Sequence, residues 1–104
     1  MIFTLRWFGP EDPVSLKALR QVPGLDGLVT ALSNVPAGAV WTPDAIAALQ
    51  YELAEHGFEW VVVESLPVSD AIKLGGPERD DHVAAWCTSL HHLAAAGVRT
   101  VCYN

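Results

Sequence analysis

Apolar positions along this chain follow two rhythms. Short runs rich in Val, Leu, Phe and Trp read as strands over Phe3–Phe8, Gly27–Leu32, Phe58–Ser65 and Thr100–Tyr103. Between them, apolar side chains recur at helical spacing around Val14–Val22, Pro43–His56 and Pro77–Ala96. Ile46, Leu49 and Leu53 form one stripe, and Val83, Trp86, Leu90 and Leu93 another, each suited to lie on a sheet. The alternation predicts an α/β domain with a parallel sheet, made of three βα units and a fourth strand.

Local signals sharpen the boundaries. Thr42 precedes Pro43 as an N-cap precedes the first helical residue, and Pro77 is followed by Glu78, Asp80 and Asp81, as suits a helix N-terminus. A weak repeat relates Ala54–Val61 to Ala94–Val101: helix end, Gly, then strand. The repeat favours a barrel, and a chain stopping at Asn104, on a strand tip, predicts its opening half. Two segments on the strand-to-helix side, Gly9–Pro13 and Leu66–Gly76, are expected to be long irregular loops. Ligands of parallel α/β folds bind at that end.

Composition narrows the function classes. The chain has 104 residues, of which 51% are hydrophobic and 17% charged, as expected of a sheet covered on both faces or of apolar surface awaiting a partner. A formal net charge of -6 without a Lys/Arg cluster argues against nucleic acid. No apolar run approaches the roughly 20 residues of a membrane span, and Arg6 interrupts the first strand where a signal sequence would be apolar. A soluble, cytoplasmic protein is expected. Cys87 and Cys102 lack metal or redox spacing and read as reduced, semi-buried thiols.

Candidate chemistry sits at the strand ends. Strand alternation puts Trp60, Val62 and Glu64 on one face, and the repeat places Asn104 at the position of Glu64. Either these two line a polar site or they solvate strand tips. Arg6 shares a face with Thr4 and Phe8, and its charge calls for a partner, either Glu64 or a substrate carboxylate. Projected at about 100° per residue, His82, His91 and His92 do not converge, and His56 lies just before a Gly. The histidines therefore read as helix-surface residues, not metal ligands. Gly75-Gly76-Pro77 is a turn into a helix and lacks a phosphate-loop pattern.

The segment from Arg6 to Leu16, RWFGPEDPVSL, resembles the N-terminal signature of the mannonate dehydratase family. Three further blocks agree in order: Leu28–Leu32, Val62–Val68 with Ile72-Lys73 behind it, and Gly97–Asn104. The resemblance implies that residues 1–104 are the N-terminal half of a xylose-isomerase-like TIM barrel, a partial (β/α)8 fold and a single incomplete domain. It implies metal-assisted dehydration of D-mannonate to 2-keto-3-deoxy-D-gluconate in hexuronate (glucuronate) catabolism, with Mn2+ or Fe2+ in the complete enzyme. The family's metal-binding His, Cys and Asp lie on later strands, so no metal ligand and no catalytic residue is expected here, and the isolated chain is expected to be inactive. Arg6, Trp7, Glu64, Ser65, Tyr103 and Asn104 match the pattern at strand ends and are the expected substrate-binding residues. Phe8 stands where a Tyr is usual, Ser33-Asn34 replace a His-containing turn, and Ser69-Asp70-Ala71 replace a His/acid/acid stretch. Two other readings compete: a catalytically dead remnant that self-associates through open sheet edges, and a small flavodoxin-like binding domain.

Overall fold

In the computed structural model, which describes residues 1–104, four parallel strands stand side by side in the order the chain makes them. They are β1 (Thr4–Arg6), β2 (Gly27–Thr30), β3 (Glu59–Val63) and β4 (Thr100–Val101). α1 (Leu16–Leu19) and α2 (Pro43–Glu55) fill the first two crossovers, and α3 (Asp70–Leu74) with α4 (Arg79–Ala95) fill the third. Crossovers between parallel strands share one hand, so a sequential strand order puts every helix on the same face. This is barrel winding, as the partial (β/α)8 reading expects. A flavodoxin-like sheet reverses its strand order and carries helices on both faces, so that reading is excluded. One edge each of β1 and β4 is unpaired. No helix is long and apolar enough to cross a membrane.

The elements follow from local chemistry, with some changes of length. The Thr42 hydroxyl accepts the Ala45 N–H at 3.2 Å, Pro43 follows it, and Ile46, Leu49 and Leu53 are buried as their spacing predicts. Gly57 and Gly97 lie at φ +78° and +89°, turning the chain from helix into strand at a backbone angle that side chains disfavour. α1 is shorter than the expected Val14–Val22. The Ser15 hydroxyl accepts the Ala18 N–H and delays the start to Leu16, and Pro23 lies ahead. Within Leu66–Gly76, expected to be a loop, Ser69 caps the short helix α3 and Gly75 ends it. α4 begins at Arg79 rather than Pro77, with Glu78 at its N-cap position.

Tertiary packing changes two face assignments. Leu28 pairs with Trp60 but Val29 pairs with Val62, so Val61 is an extra residue in β3. Leu28 and Thr30 lie on the buried side of β2, and the pairing puts Trp60 and Val63 there with them. Strict alternation instead predicts Trp60 with Val62 and Glu64, which are half-exposed. Gly27 accommodates the bulge: a Cβ there would collide with the Val61 side chain and come within 2.9 Å of the Glu59 carbonyl oxygen.

The second change concerns α4. Ser89 and Leu93 are its buried residues, whereas Val83, expected in the apolar stripe, is 41% exposed. The inner face includes polar side chains because α4 packs on the backbone of the loop before α2. The Trp41 N–H donates to Ser89 Oγ at 2.9 Å, and His92 Nδ1 lies 2.7 Å from the Trp41 carbonyl oxygen. Trp41 itself meets Trp60 with ring centroids 6.4 Å apart, at the centre of a core that includes Leu28, Ile46, Leu53, Val63 and Leu93.

Candidate functional site

Three strand ends meet at the C-terminal edge of the sheet. Arg6 closes β1, Glu64 follows β3 and Cys102 follows β4. Backbone bonds continue past the regular strands and hold these residues in place: Glu64 N–H to Thr30 O at 3.0 Å, Cys102 N–H to Val63 O at 2.8 Å and Leu66 N–H to Cys102 O at 2.9 Å. The Glu64–Ser65 peptide is cis. Residue positions are thus set by the sheet ladder, while the side chains point into the space above it.

Arg6 Nη1 lies 3.8 Å from Glu64 Oε1, and the two side chains are 43% and 36% exposed. So long and open a pair is worth no more than about 1 kcal/mol, which leaves guanidinium donors for another anion. The guanidinium carbon sits 4.4 Å from the centroid of the Phe8 ring, which orients the planar group. Arg6, Phe8, Thr30, Ser33, Glu64 and Ser65 line a cleft of about 240 Å³. A planar cation, a carboxylate and hydroxyls around one small cleft suit a ligand with a carboxylate and several hydroxyl groups.

Two titrating groups support the rim. A hydrogen bond with Glu64 pushes the Cys102 thiol up, with burial and the Glu64 charge acting in the same direction. The thiol therefore stays protonated beside the carboxylate. The Asp12 carboxyl is held down because it accepts the Phe8 N–H at 2.9 Å and the Val14 N–H at 2.8 Å, which closes the turn behind Phe8.

The structure sorts the sequence candidates into three groups. Arg6, Glu64 and Ser65 come together in the cleft. Trp7 borders it but is 4% exposed, and its ring N–H is buried without a partner; its backbone carbonyl accepts the Thr30 hydroxyl at 2.7 Å. Tyr103 and Asn104 lie elsewhere: Tyr103 packs edge-on against Trp86 of α4 at 5.9 Å, and Asn104 Oδ1 accepts the Val68 N–H at 3.4 Å. The repeat puts Asn104 in the place of Glu64, but the ladder pairs Val63 with Val101, so Cys102 is the residue beside Glu64. Cys102 and Thr30 are the residues that sequence reasoning missed, whereas Ser33 and Phe8 entered only as departures from the family pattern. The only signal for Cys102 and Thr30 is the stagger between neighbouring strands, which the repeat does not contain.

The other polar residues are accounted for differently from the sequence expectation. Cys87 is exposed rather than semi-buried, and both cysteines are free. His82 and His92 are not plain surface groups, since each is half-buried and bonded to a loop. No three His, Cys, Asp or Glu side chains stand close enough to hold a metal ion. A second hollow of about 280 Å³, between Trp7, Pro10, Val35 and α2, is mainly apolar, and only Glu52 brings it charge.

The whole chain is similar to one family of sugar-acid enzymes. The family model described as D-mannonate dehydratase (UxuA) matches residues 1–104. Mannonate dehydratase 2 of Halalkalibacterium halodurans is 45% identical over 104 residues, covering 100% of this chain and 30% of that protein. Mannonate dehydratase of Rhizobium meliloti is 51% identical over 105 residues, 26% of its length. The crystal structure of mannonate dehydratase from Streptococcus suis serotype2 superposes with a TM-score of 0.94 at 41% identity, over 100% of this chain and 30% of that one. This chain thus spans less than a third of the length of the relatives it matches. Sequence signature, strand order and superposition agree from the first residue to the last, and the chain belongs to the D-mannonate dehydratase family.

Proposed function

We propose that the chain supplies the N-terminal half of a xylose-isomerase-like barrel that dehydrates D-mannonate to 2-keto-3-deoxy-D-gluconate in cytoplasmic hexuronate (glucuronate) breakdown. The observation that carries this reading is the Arg6 guanidinium, half-exposed, oriented on Phe8 and only loosely paired with Glu64 in a cleft at the strand C-termini. Arg6 receives the substrate carboxylate in a two-pronged contact. Glu64, beside Cys102 on the neighbouring strand, accepts a substrate hydroxyl, and Ser65 bonds another. Trp7 backs the cleft, while Tyr103 and Asn104 support the fourth strand's tip.

Mn2+ or Fe2+ is the ion proposed for the complete enzyme, where it would stabilise the charge built when a proton leaves the carbon beside a carboxylate. The residues of this chain do not fit such an ion, because no ligand set assembles among them. Their part is to bind and orient, and the isolated chain is expected to turn over no substrate. Measured loss of D-mannonate with either metal, above a metal-only blank, would overturn that expectation.

Titrating the isotope-labelled chain with D-mannonate, and separately with D-mannitol, tests the binding role. Signals of Arg6, Glu64 and Ser65 should move with the acid and not with the uncharged polyol, and Arg6→Ala should abolish the difference. Equal responses to both ligands would remove Arg6 from the role of carboxylate receptor.

A second reading, self-association, is favoured by the unpaired edges and by the exposed Met1, Ile2 and Phe3 just before β1 and Leu5 within it. Light scattering at several concentrations discriminates, because a concentration-independent monomer would exclude it.

A further inference from the structure

His82 stands in the first turn of α4, outside the cleft, yet it touches both loops that build the rim. Its Nδ1 lies 2.7 Å from Ser69 Oγ, in the loop after β3, and its Nε2 lies 3.4 Å from Glu78 Oε2. Its ring also lies flat against Gly38 in the loop after β2: a Cβ on Gly38 would come within 2.7–2.9 Å of three ring atoms. Gly38, at φ +93°, is therefore required twice, by its backbone angle and by the imidazole. Ser33 lies near the start of the loop containing Gly38 and Ser65 near the start of the loop containing Ser69, and both serines line the cleft.

Hydrogen-bond roles follow from the donors present. Ser69 Oγ already accepts the Ile72 N–H as the cap of α3, at 3.4 Å, so its proton is free to go to His82 Nδ1. The imidazole proton then sits on Nε2 and points to Glu78. A serine, a histidine and a carboxylate in line resemble a nucleophile relay, but Ser69 is 6% exposed and committed to capping a helix, so no attacking hydroxyl is presented.

We propose that His82 is a positioning residue: it locks the loops after β2 and β3 to α4 and to each other, and so sets where Ser33 and Ser65 stand beside Arg6 and Glu64. The proposal rests on reading that cleft as the ligand site, but its test reads structure alone, so its failure leaves the dehydratase reading standing.

The first measurement is the nitrogen-15 spectrum of the imidazoles in the 104-residue chain near pH 8, where neutral histidine dominates. The expected result is a His82 Nδ1 whose signal is displaced by its hydrogen bond with Ser69; an unbonded Nδ1 overturns the proposal. The second is amide exchange at two reporters, Ala39 N–H, bonded to Pro36 O at 3.1 Å, and Lys73 N–H, bonded to Ser69 O at 3.1 Å. His82→Asn keeps an acceptor at the Nδ1 position and loses the ring, so Ala39 should exchange about fivefold faster with Lys73 unchanged. His82→Phe keeps the ring and loses the acceptor, so Lys73 should speed up by about the same factor with Ala39 unchanged. If both variants loosen both amides equally, or neither amide responds, the two-armed role is wrong. Should the variants fail to fold, the Nδ1 signal in the native chain still decides.

Discussion

Ser89→Ala removes one oxygen atom from the middle of α4 and tests how the loop before α2 is held. Ser89 is 0% exposed; its Oγ accepts the Trp41 N–H at 2.9 Å and donates to the Ala85 carbonyl at 3.0 Å. The Ala85 carbonyl lies inside α4 and keeps its helical role, so it loses little. Trp41 is 1% exposed and its amide has no water to turn to. An orphaned buried donor costs about 1–3 kcal/mol. Alanine returns roughly 0.5 kcal/mol through its better helix propensity. The expected net loss is about 0.5–2.5 kcal/mol, against a total stability of about 5–15 kcal/mol for a domain of this size. Melting should fall by roughly 2–20 °C. Thr88→Ala is the matched control, since that exposed hydroxyl bonds only to Ala84 O of its own helix at 2.9 Å. Its urea midpoint should stay level or rise slightly. If Ser89→Ala and Thr88→Ala have the same midpoint, the Trp41 amide is not held by Ser89 and the account of α4 as a polar clamp fails.

Three other outcomes are expected. Gly27→Ala should destabilise the chain by about 1–3 kcal/mol in urea unfolding, because the added methyl meets Val61 and the Glu59 carbonyl at the bulge; unchanged stability would mean the bulge relaxes freely. The raised thiol of Cys102 binds its proton more tightly in the folded than in the unfolded chain, so its contribution to stability is full below the unfolded thiol value and is lost as pH rises through the folded one. Glu64→Gln should bring the Cys102 thiol down and speed its reaction with a disulfide reagent near pH 8, with exposed Cys87 as the internal standard; an unaltered Cys102 rate would deny the Glu64 contact. Asp12, with its carboxyl held low, contributes stability that is full above about pH 4 and lost as pH falls through its depressed folded value. Stability of Asp12→Asn should therefore depend less on pH along the acid limb, and an acid limb identical to that of the native chain would count against the Phe8 and Val14 bonds.

What the sequence determined by itself is what nearest neighbours along the chain determine. The Thr42-Pro43 start, the Ile46, Leu49, Leu53 stripe, and the glycines that turn helix into strand all act within a few residues, and each appears where its chemistry places it. Even the unpredicted α3 has a local signature, Ser69 before it and Gly75 after it, that its length of 5 residues made easy to pass over. Barrel winding was legible for the same reason, because a repeated helix–Gly–strand unit with one crossover hand has few ways to pack. Arg6 and Glu64 were legible as charges at strand ends.

Register, by contrast, belongs to pairs of strands. The repeat frame matches Glu64 with Asn104, but the ladder pairs Val63 with Val101 and thereby brings Cys102 to the carboxylate. The extra residue in β3 turns Trp60 inward to meet Trp41, and nothing in β3 alone announces it, since the space it uses is the missing side chain of Gly27 on the neighbouring strand. The inner face of α4 carries Ser89 and His92 because the surface opposite is loop backbone with a donor and an acceptor to satisfy. Periodicity reports how apolar a face is; what that face meets, and so which polar atoms it must supply, is settled only when distant segments come together.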